Sequence, residues 1–418
     1  MTDINATISA LWRMESAKII GGLTRIVRDI GLAEELAQDA LVAALEQWPH
    51  EGIPANPGAW LMTTAKRRAI DRFRRNRMMR DKNAELAQEL DAREDVSVQL
   101  LEATLDDDIG DERLALIFAA CHPDLAAEAR AALTLRLLGG LSIAEIARAF
   151  LSSEAAIAQR ITRAKRTLKE GSYSFEVPHG AARDARLQTV LQVIYLIFNE
   201  GYAASSGEDF LRTRLCEEAM RLNRILAELA PGEPEVLGLM GLMEIQASRF
   251  GARRDPNGQP VLLLEQDRQL WDRLLIRRGL SALTRAEKLT QHPGPYQLQA
   301  AIAACHARAR TAEETDWKQI AALYAALLGV MPSPVVALNQ AVAIGMAFGP
   351  ELGLQHADAL LAVPELQAYH LLPAVRADLL HKLGRLPEAA GEYERAAGLA
   401  TNPVDQKALR DRAASCRL

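Results

Sequence analysis

Aromatic residues are scarce in this chain, 5% of its 418 positions, although 49% of the residues are hydrophobic. Core material is therefore mainly Ala, Leu, Ile and Val, the stock of helical bundles and helical repeats, and strand signals are few. An all-α fold is expected. Cysteine is also sparse: Cys121, Cys216, Cys305 and Cys416 are widely scattered, with no paired spacing that would suggest a zinc site or a disulfide framework. The Cys121-His122 and Cys305-His306 dipeptides do not alter this, because neighbouring residues on a helix point about 100° apart and rarely chelate one ion. No Ser/His/Asp constellation, glycine-rich phosphate loop or HExxH motif is present, so no enzyme, metal or cofactor is expected. The N-terminus lacks a basic start followed by an apolar core. The longest apolar run, residues 190–198, falls well short of the ~20 residues that span a bilayer. These absences point to a cytoplasmic protein without a membrane partner.

At 418 residues the chain exceeds what one hydrophobic core usually organises, so about two to four domains are expected. A net charge of -5 and a pI near 6.0 would not flag a nucleic-acid binder, but a global sum hides local stripes of opposite sign. Residues 60–82 carry Lys66, Arg67, Arg68, Arg72, Arg74, Arg75, Arg77, Arg80 and Lys82 against only Asp71 and Asp81. A second basic segment holds Arg160, Arg163, Lys165, Arg166 and Lys169. Between them, residues 84–112 are strongly acidic, offset only by Arg93, and read as a linker. A cationic excess of this kind repels itself and is relieved by a phosphate backbone, whose neutralisation releases counterions. DNA is the expected partner of both helices.

Periodicity places these charges. Residues 6–48 read as two helices, broken near Gly31 and ended by Pro49, with Leu36, Leu41 and Leu45 on the apolar face and Glu34, Glu35, Gln38 and Asp39 on the other. A third helix starts near Ala59 with Leu61, Ala65, Ala69, Ile70 and Phe73 as its buried stripe and the basic residues covering the rest. Further on, Leu114, Ile117, Phe118, Leu133, Leu135 and Leu138 form the core of a compact helical module. Within it Gly139-Gly140-Leu141 ends one helix, and Ser142 with Glu145 makes a capping box for a short one. A turn at Leu151-Ser152-Ser153 leads into residues 154–169, with Ala147 and Ile157 at the helix crossing. This is a helix-turn-helix pattern, whose second helix enters the major groove by its N-terminus. Glu154, Ala155, Ala158 and Gln159 would lie near base edges, and Arg160, Arg163, Lys165 and Arg166 would hold phosphates.

These segments resemble a bacterial RNA polymerase sigma factor of the extracytoplasmic-function type. Residues 34–41, Glu-Glu-Leu-Ala-Gln-Asp-Ala-Leu, are similar to that family's core-polymerase-binding helix, and Asn56-Pro57-Gly58-Ala59-Trp60-Leu61 through Asp71-Arg72-Phe73-Arg74-Arg75 to its promoter-melting segment. Leu141-Ser142-Ile143-Ala144-Glu145-Ile146-Ala147 and Arg160-Ile161-Thr162-Arg163-Ala164-Lys165 stand where the family's domain four binds the minus-thirty-five element. The resemblance implies that Glu35, Gln38 and Asp39 face the clamp helices of the polymerase β′ subunit. It also implies that Arg67, Arg68, Arg72 and Arg75, on a DNA-facing surface shared with Arg74 and Arg77, meet the minus-ten region. The implied organisation is sigma domain two over residues 1–83, an acidic linker over 84–112, sigma domain four over 113–175 and a helical extension over 180–418.

The extension reads as helical throughout, with Pro231, Pro293, Pro332, Pro364 and Pro403 at helix ends or in loops. Residues 383–403 look like a tetratricopeptide (TPR) repeat boundary and second helix, with weaker echoes at 317–332 and 351–364, near the roughly 34-residue period of such repeats. Stacked repeats of this kind commonly present a concave protein-binding face. Residues 199–207 read as a polar loop, and an Asn257-Gly258 turn suggests a small hairpin. The arrangement resembles the sigma-factor subgroup that carries a TPR-like extension, whose expected role is control of activity by contacting the sigma domains, polymerase or a protein partner. A stand-alone helix-turn-helix regulator with a TPR interaction domain would explain the second basic helix but not the first.

Overall fold

The computed structural model describes residues 4–80, 112–150, 152–171, 173, 175–202, 209–255, 261–400 and 403–417. Lys82, most of the acidic linker, Leu151, the end of the polar loop at 203–207 and the Asn257-Gly258 turn lie outside them. The described residues form α-helices and short 3-10 turns with no β-strand, so the all-α expectation holds. Two compact units divide after Leu229.

The first unit opens with α1 (Ile4–Val27), α2 (Ile30–Glu51) and α3 (Pro57–Arg80), which pack against one another. The break between α1 and α2 falls slightly before Gly31: Arg28 takes a left-handed φ of 54°, and Asp29 caps α2 by accepting from the Leu32 amide at 3.1 Å. Pro49 does not end α2 but sits in its last turn, and the helix closes at Gly52, whose φ is 87°. The buried stripe of α3 is the one read from periodicity, with Leu61, Ala65, Ala69, Ile70 and Phe73 all at 7% exposure or less. Trp48 and Trp60 meet edge to face, tying α2 to α3. Three side chains depart from their expected faces. Leu45 is exposed, because Ala33, Ala37, Ala40 and Ala44 share the buried side of α2 with Leu36 and Trp48. Glu34 and Lys66, both expected on the surface, are buried.

The helices α4 (Glu112–Ala120), α5 (Ala127–Leu137), α6 (Ile143–Ala149) and α7 (Glu154–Glu170) form the second module. Leu114, Ile117, Phe118, Leu133, Leu135 and Leu138 are buried, and Gly140 turns the chain with a φ of 65°. The capping box forms: Ser142 Oγ accepts from the Glu145 amide, and Glu145 accepts from the Ser142 amide at 2.8 Å. Ser153 caps α7 in the same way through the Ala156 amide. Two further helices complete the unit, α8 (Gly180–Tyr202) and α9 (Asp209–Leu229), which pair with each other and pack on α4, α5 and α6. They follow the boundary expected near residue 180 yet belong to the compact unit before it.

The second unit runs from α10 (Pro234–Ala247) through α11 (Arg273–Leu289), α12 (Pro295–Arg308), α13 (Trp317–Val330), α14 (Pro334–Phe348), α15 (Pro350–Ala359) and α16 (Leu371–Lys382) to α17 (Leu386–Leu399) and α18 (Pro403–Ser415). Proline opens α10, α12, α14, α15 and α18, where its missing N–H has no partner to lose. From α12 onward each helix packs on the one before it. The joins are made by small residues. A Cβ on Gly353 would stand 2.6 Å from the Gly345 Cα, so α14 and α15 meet backbone to backbone, and Ala341, Ala357, Ala377, Ala389 and Ala396 are fully buried nearby. Helix α12 receives both its caps from elsewhere. The Glu235 carboxylate of α10 accepts from the Tyr296 and Gln297 amides at 2.9 and 3.0 Å, and Arg268 donates to the His306 and Ala309 carbonyls, each at 2.8 Å.

Candidate nucleic-acid and polymerase interface

Sequence spacing puts Glu35, Gln38 and Asp39 on one side of α2, and the structure leaves Glu35 and Gln38 exposed and Asp39 half-buried. One and two turns beyond Gln38, Val42 and Leu45 are also exposed, at 50% and 39%. The exposed side of α2 is thus polar at its start and apolar further along. On α3, Arg67, Arg74 and Arg75 are exposed, and Arg68 and Arg72 half-buried. Arg75 Nε donates to the Asp71 carbonyl one turn back, which holds its stem along the helix. The Arg77 backbone lies in α3, but its side chain is outside the described set. Arg72 reaches across to α2 and pairs with Glu35 at 2.7 Å, so a residue expected on DNA and one expected on polymerase neutralise each other.

On α7 the N-terminal residues Glu154, Ala155 and Gln159 are exposed, Ala158 and Arg160 half-buried and Arg163 exposed. Gln159, Arg160 and Arg163 line one open cleft with Asp124, Ala126 and Thr167. This face offers amide and guanidinium groups at the end of the helix that would enter a groove. Arg166 lies 3.9 Å from Glu170 one turn on, a loose surface pair.

Lys165 points elsewhere. It reaches the Glu34 carboxylate of α2, 131 residues away in sequence. Glu34 also accepts from Arg136 Nε of α5 at 2.9 Å and from Gln38 Nε2 at 3.1 Å. Its side chain is only 9% exposed, so removing one cation would weaken the compensation of a buried charge. One turn along α7, Lys169 pairs with Asp29 at 2.8 Å. Burial pushes the Asp29 carboxyl upward, but the Lys169 ammonium and the Leu32 and Gly31 amides outweigh it and hold it below its ordinary value. Glu34, Asp29 and Arg136 were not among the expected site residues. The Glu34-Glu35 doublet gives no local sign of which carboxylate turns inward.

Helices α8 and α9 hold the helix-turn-helix from behind. Arg214 pairs with Glu145, the same carboxylate that closes the capping box. Burial raises the Glu145 carboxyl, but the Ser142 hydrogen bonds and Arg214 outweigh it and set it below its usual range. Arg221 donates to the Leu138 carbonyl at 2.6 Å, and Arg186 donates to the Phe118 carbonyl while its guanidinium lies 5.7 Å from the Phe118 ring centroid. Of the two Cys-His dipeptides, Cys121, Cys305 and His306 are buried and His122 is half-buried. Cys121 lies 3.5 Å from Thr134 Oγ1, and burial pushes its thiol up to about 11. Among the described residues no group of His, Cys, Asp and Glu is placed to hold a metal ion, and no helix is long and apolar enough to cross a membrane.

Comparison with known proteins fits this geometry. Residues 11–78 match the family described as Sigma-70 region 2, residues 115–168 that described as Sigma-70, region 4, and residues 186–287 a family of unknown function, DUF6596. An uncharacterized protein of Rhizobium meliloti, R00370, is 44% identical over 94% of this chain and 91% of its own length. The ECF RNA polymerase sigma factor SigK of Mycobacterium ulcerans is 29% identical over 40% of this chain and 92% of its own length, and SigK of Mycobacterium bovis 28% identical over 39% and 84%. No solved structure matches. With both sigma-70 regions present in order, each around one of the two basic helices, the chain is an RNA polymerase sigma factor and belongs to one family with the Rhizobium protein.

Proposed function

We propose that this sigma factor binds core RNA polymerase through α2 and directs promoter-specific initiation from the cytoplasm, without catalytic chemistry or cofactor of its own. Glu35, Gln38 and Asp39 contact the β′ clamp helices, with Val42 and Leu45 supplying the apolar part of the contact. Arg67, Arg68, Arg72, Arg74, Arg75 and Arg77 face the minus-ten region. Glu154, Ala155, Ala158 and Gln159 approach the minus-thirty-five bases, while Arg160, Arg163, Lys165 and Arg166 take phosphates. The observation that carries this reading is the order of the two matched regions around two basic helices, together with the exposed apolar strip on α2. The helices after residue 180 act as a TPR-like extension that controls activity, and the contacts of Arg186, Arg214 and Arg221 with the helix-turn-helix module support such control.

The test is a pull-down of the full chain with bacterial core RNA polymerase, beside a Gln38→Ala/Asp39→Ala variant. Binding that weakens at least tenfold in the variant is the expected result. A full chain that binds duplex DNA but never polymerase would replace this reading with a stand-alone DNA-binding regulator.

A further inference from the structure

Two sets of acids and bases face each other inside the first unit. At the start of α2, Asp29 and Glu34 take Lys169, Lys165 and Arg136, all three from the helix-turn-helix module. The contact is specific. Glu34 is buried and accepts from three donors, and Asp29 is placed by its own capping of α2. A second contact joins the same two modules. A Cβ on Gly21 of α1 would stand 2.3 Å from the Glu112 carbonyl oxygen of α4, and Arg113 donates to the Met14 carbonyl. Meanwhile the N-terminal end of α7, with Gln159, Arg160 and Arg163 on an open cleft, is left uncovered.

A duplex phosphate and a carboxylate offer the same thing to a lysine, an anionic oxygen within reach of its ammonium. We propose that Asp29 and Glu34 are an internal phosphate mimic: they occupy the lysines of α7 and hold region 2 against region 4, and duplex DNA competes with them for Lys165 and Lys169. The inference rests on the assignment of α7 as a DNA-contacting helix. It adds that the chain exchanges a closed form for an open one. Minus-ten and minus-thirty-five elements lie about 25 base pairs apart, roughly 85 Å at 3.4 Å per base pair, so two modules in direct contact cannot reach both.

The experiment uses the full chain, the variant Asp29→Asn/Glu34→Gln, and each of these with Lys165→Met/Lys169→Met added. Spin labels at the exposed Glu46 of α2 and Arg166 of α7 report the separation of the modules, and titration with a duplex at several salt concentrations reports phosphate contacts. The parent chain should give one short, narrow distance and the Asp29/Glu34 variant a longer, broader one. In DNA binding, the variant should gain about two in the slope of log affinity against log salt, near 0.9 for each lysine released. Adding the lysine changes should remove that gain in the variant background, and cost more of the salt slope there than in the parent. An unchanged distance in the Asp29/Glu34 variant overturns the proposal. So does a lysine effect of equal size in both backgrounds, since the lysines would then already be available to DNA. Opening without any gain in DNA binding overturns the competition and the assignment of α7 to DNA, while leaving polymerase binding through α2 to its own test.

Discussion

The two units are joined internally by different chemistry. In the first, modules distant in sequence meet through carboxylate–cation contacts: Glu34 with Lys165 and Arg136, Asp29 with Lys169, Glu145 with Arg214. In the second, α14 and α15 meet through glycine and alanine, with Gly345 against Gly353 and a buried row of alanines, while charged contacts join other helices, Arg278 with the buried Glu244 and Arg376 with Asp358. A charged join can be exchanged for another charged partner where each ion keeps some compensation, as Glu34 does through Arg136. Small-residue joins cannot, since their strength is dispersion over surfaces that fit only each other. The contact of α2 with the helix-turn-helix module can change partners, whereas the α14–α15 join keeps its shape.

The contrast can be broken most forcefully at Gly353. Its Cβ would meet backbone atoms of α14, including the Ala341 carbonyl at 3.0 Å, which have nowhere to move. Gly353→Val should destabilise the second unit by about 3 kcal/mol, read from loss of amide-exchange protection in α14 to α16, with protection in α1 to α7 unchanged. A second effect, at most of the same size, comes from His306, 7% exposed and edge-on to Trp317, whose pKa is pushed down to about 4 by burial and then by Arg249 and Arg268. The unfolded chain then binds more protons than the folded one below pH 6.5. The contribution of neutral His306 is present above that pH and is lost as pH falls from 6.5 to about 4, by at most about 3 kcal/mol. Urea midpoints across that range should flatten in His306→Gln relative to the parent. Smallest of all, Arg214→Gln removes a pair whose arginine is 39% exposed and should cost about 0.5 kcal/mol at low salt and almost nothing at high salt. A cost of 2 kcal/mol that survives salt would erase the distinction drawn between the two units.

Much of the fold was legible because it is local. The α3 stripe from Leu61 to Phe73 follows helical periodicity, and the Ser142–Glu145 box requires only residues three apart. The misplacements were tertiary. Nothing in a helical wheel distinguishes Glu34 from Glu35, yet one is buried against cations 102 and 131 residues away while the other stays at the surface with Arg72. Helical spacing alone puts Leu45 in the core, as large apolar residues usually are, but α2 packs closely enough for alanines to fill that side. Proline at position 49 is a stop signal by type, whereas in a last turn it forfeits a single bond and the helix runs on to Glu51. The candidate site residues could be found from their types and spacing. Their pairing with one another could not.

Helix α12 carries one more lesson. Its first amides are held by a carboxylate from α10 and its last carbonyls by a guanidinium from the segment before α11, each of the sign that opposes the helix dipole at that end. Gly294, at its own N-cap position, has no side chain to do this, and a Cβ there would displace Glu235. The helix is therefore a poor nucleus by itself and a good one only after its neighbours have arrived. Its ends are therefore tied to theirs: α10, α11 and α12 should gain and lose exchange protection as one cooperative block.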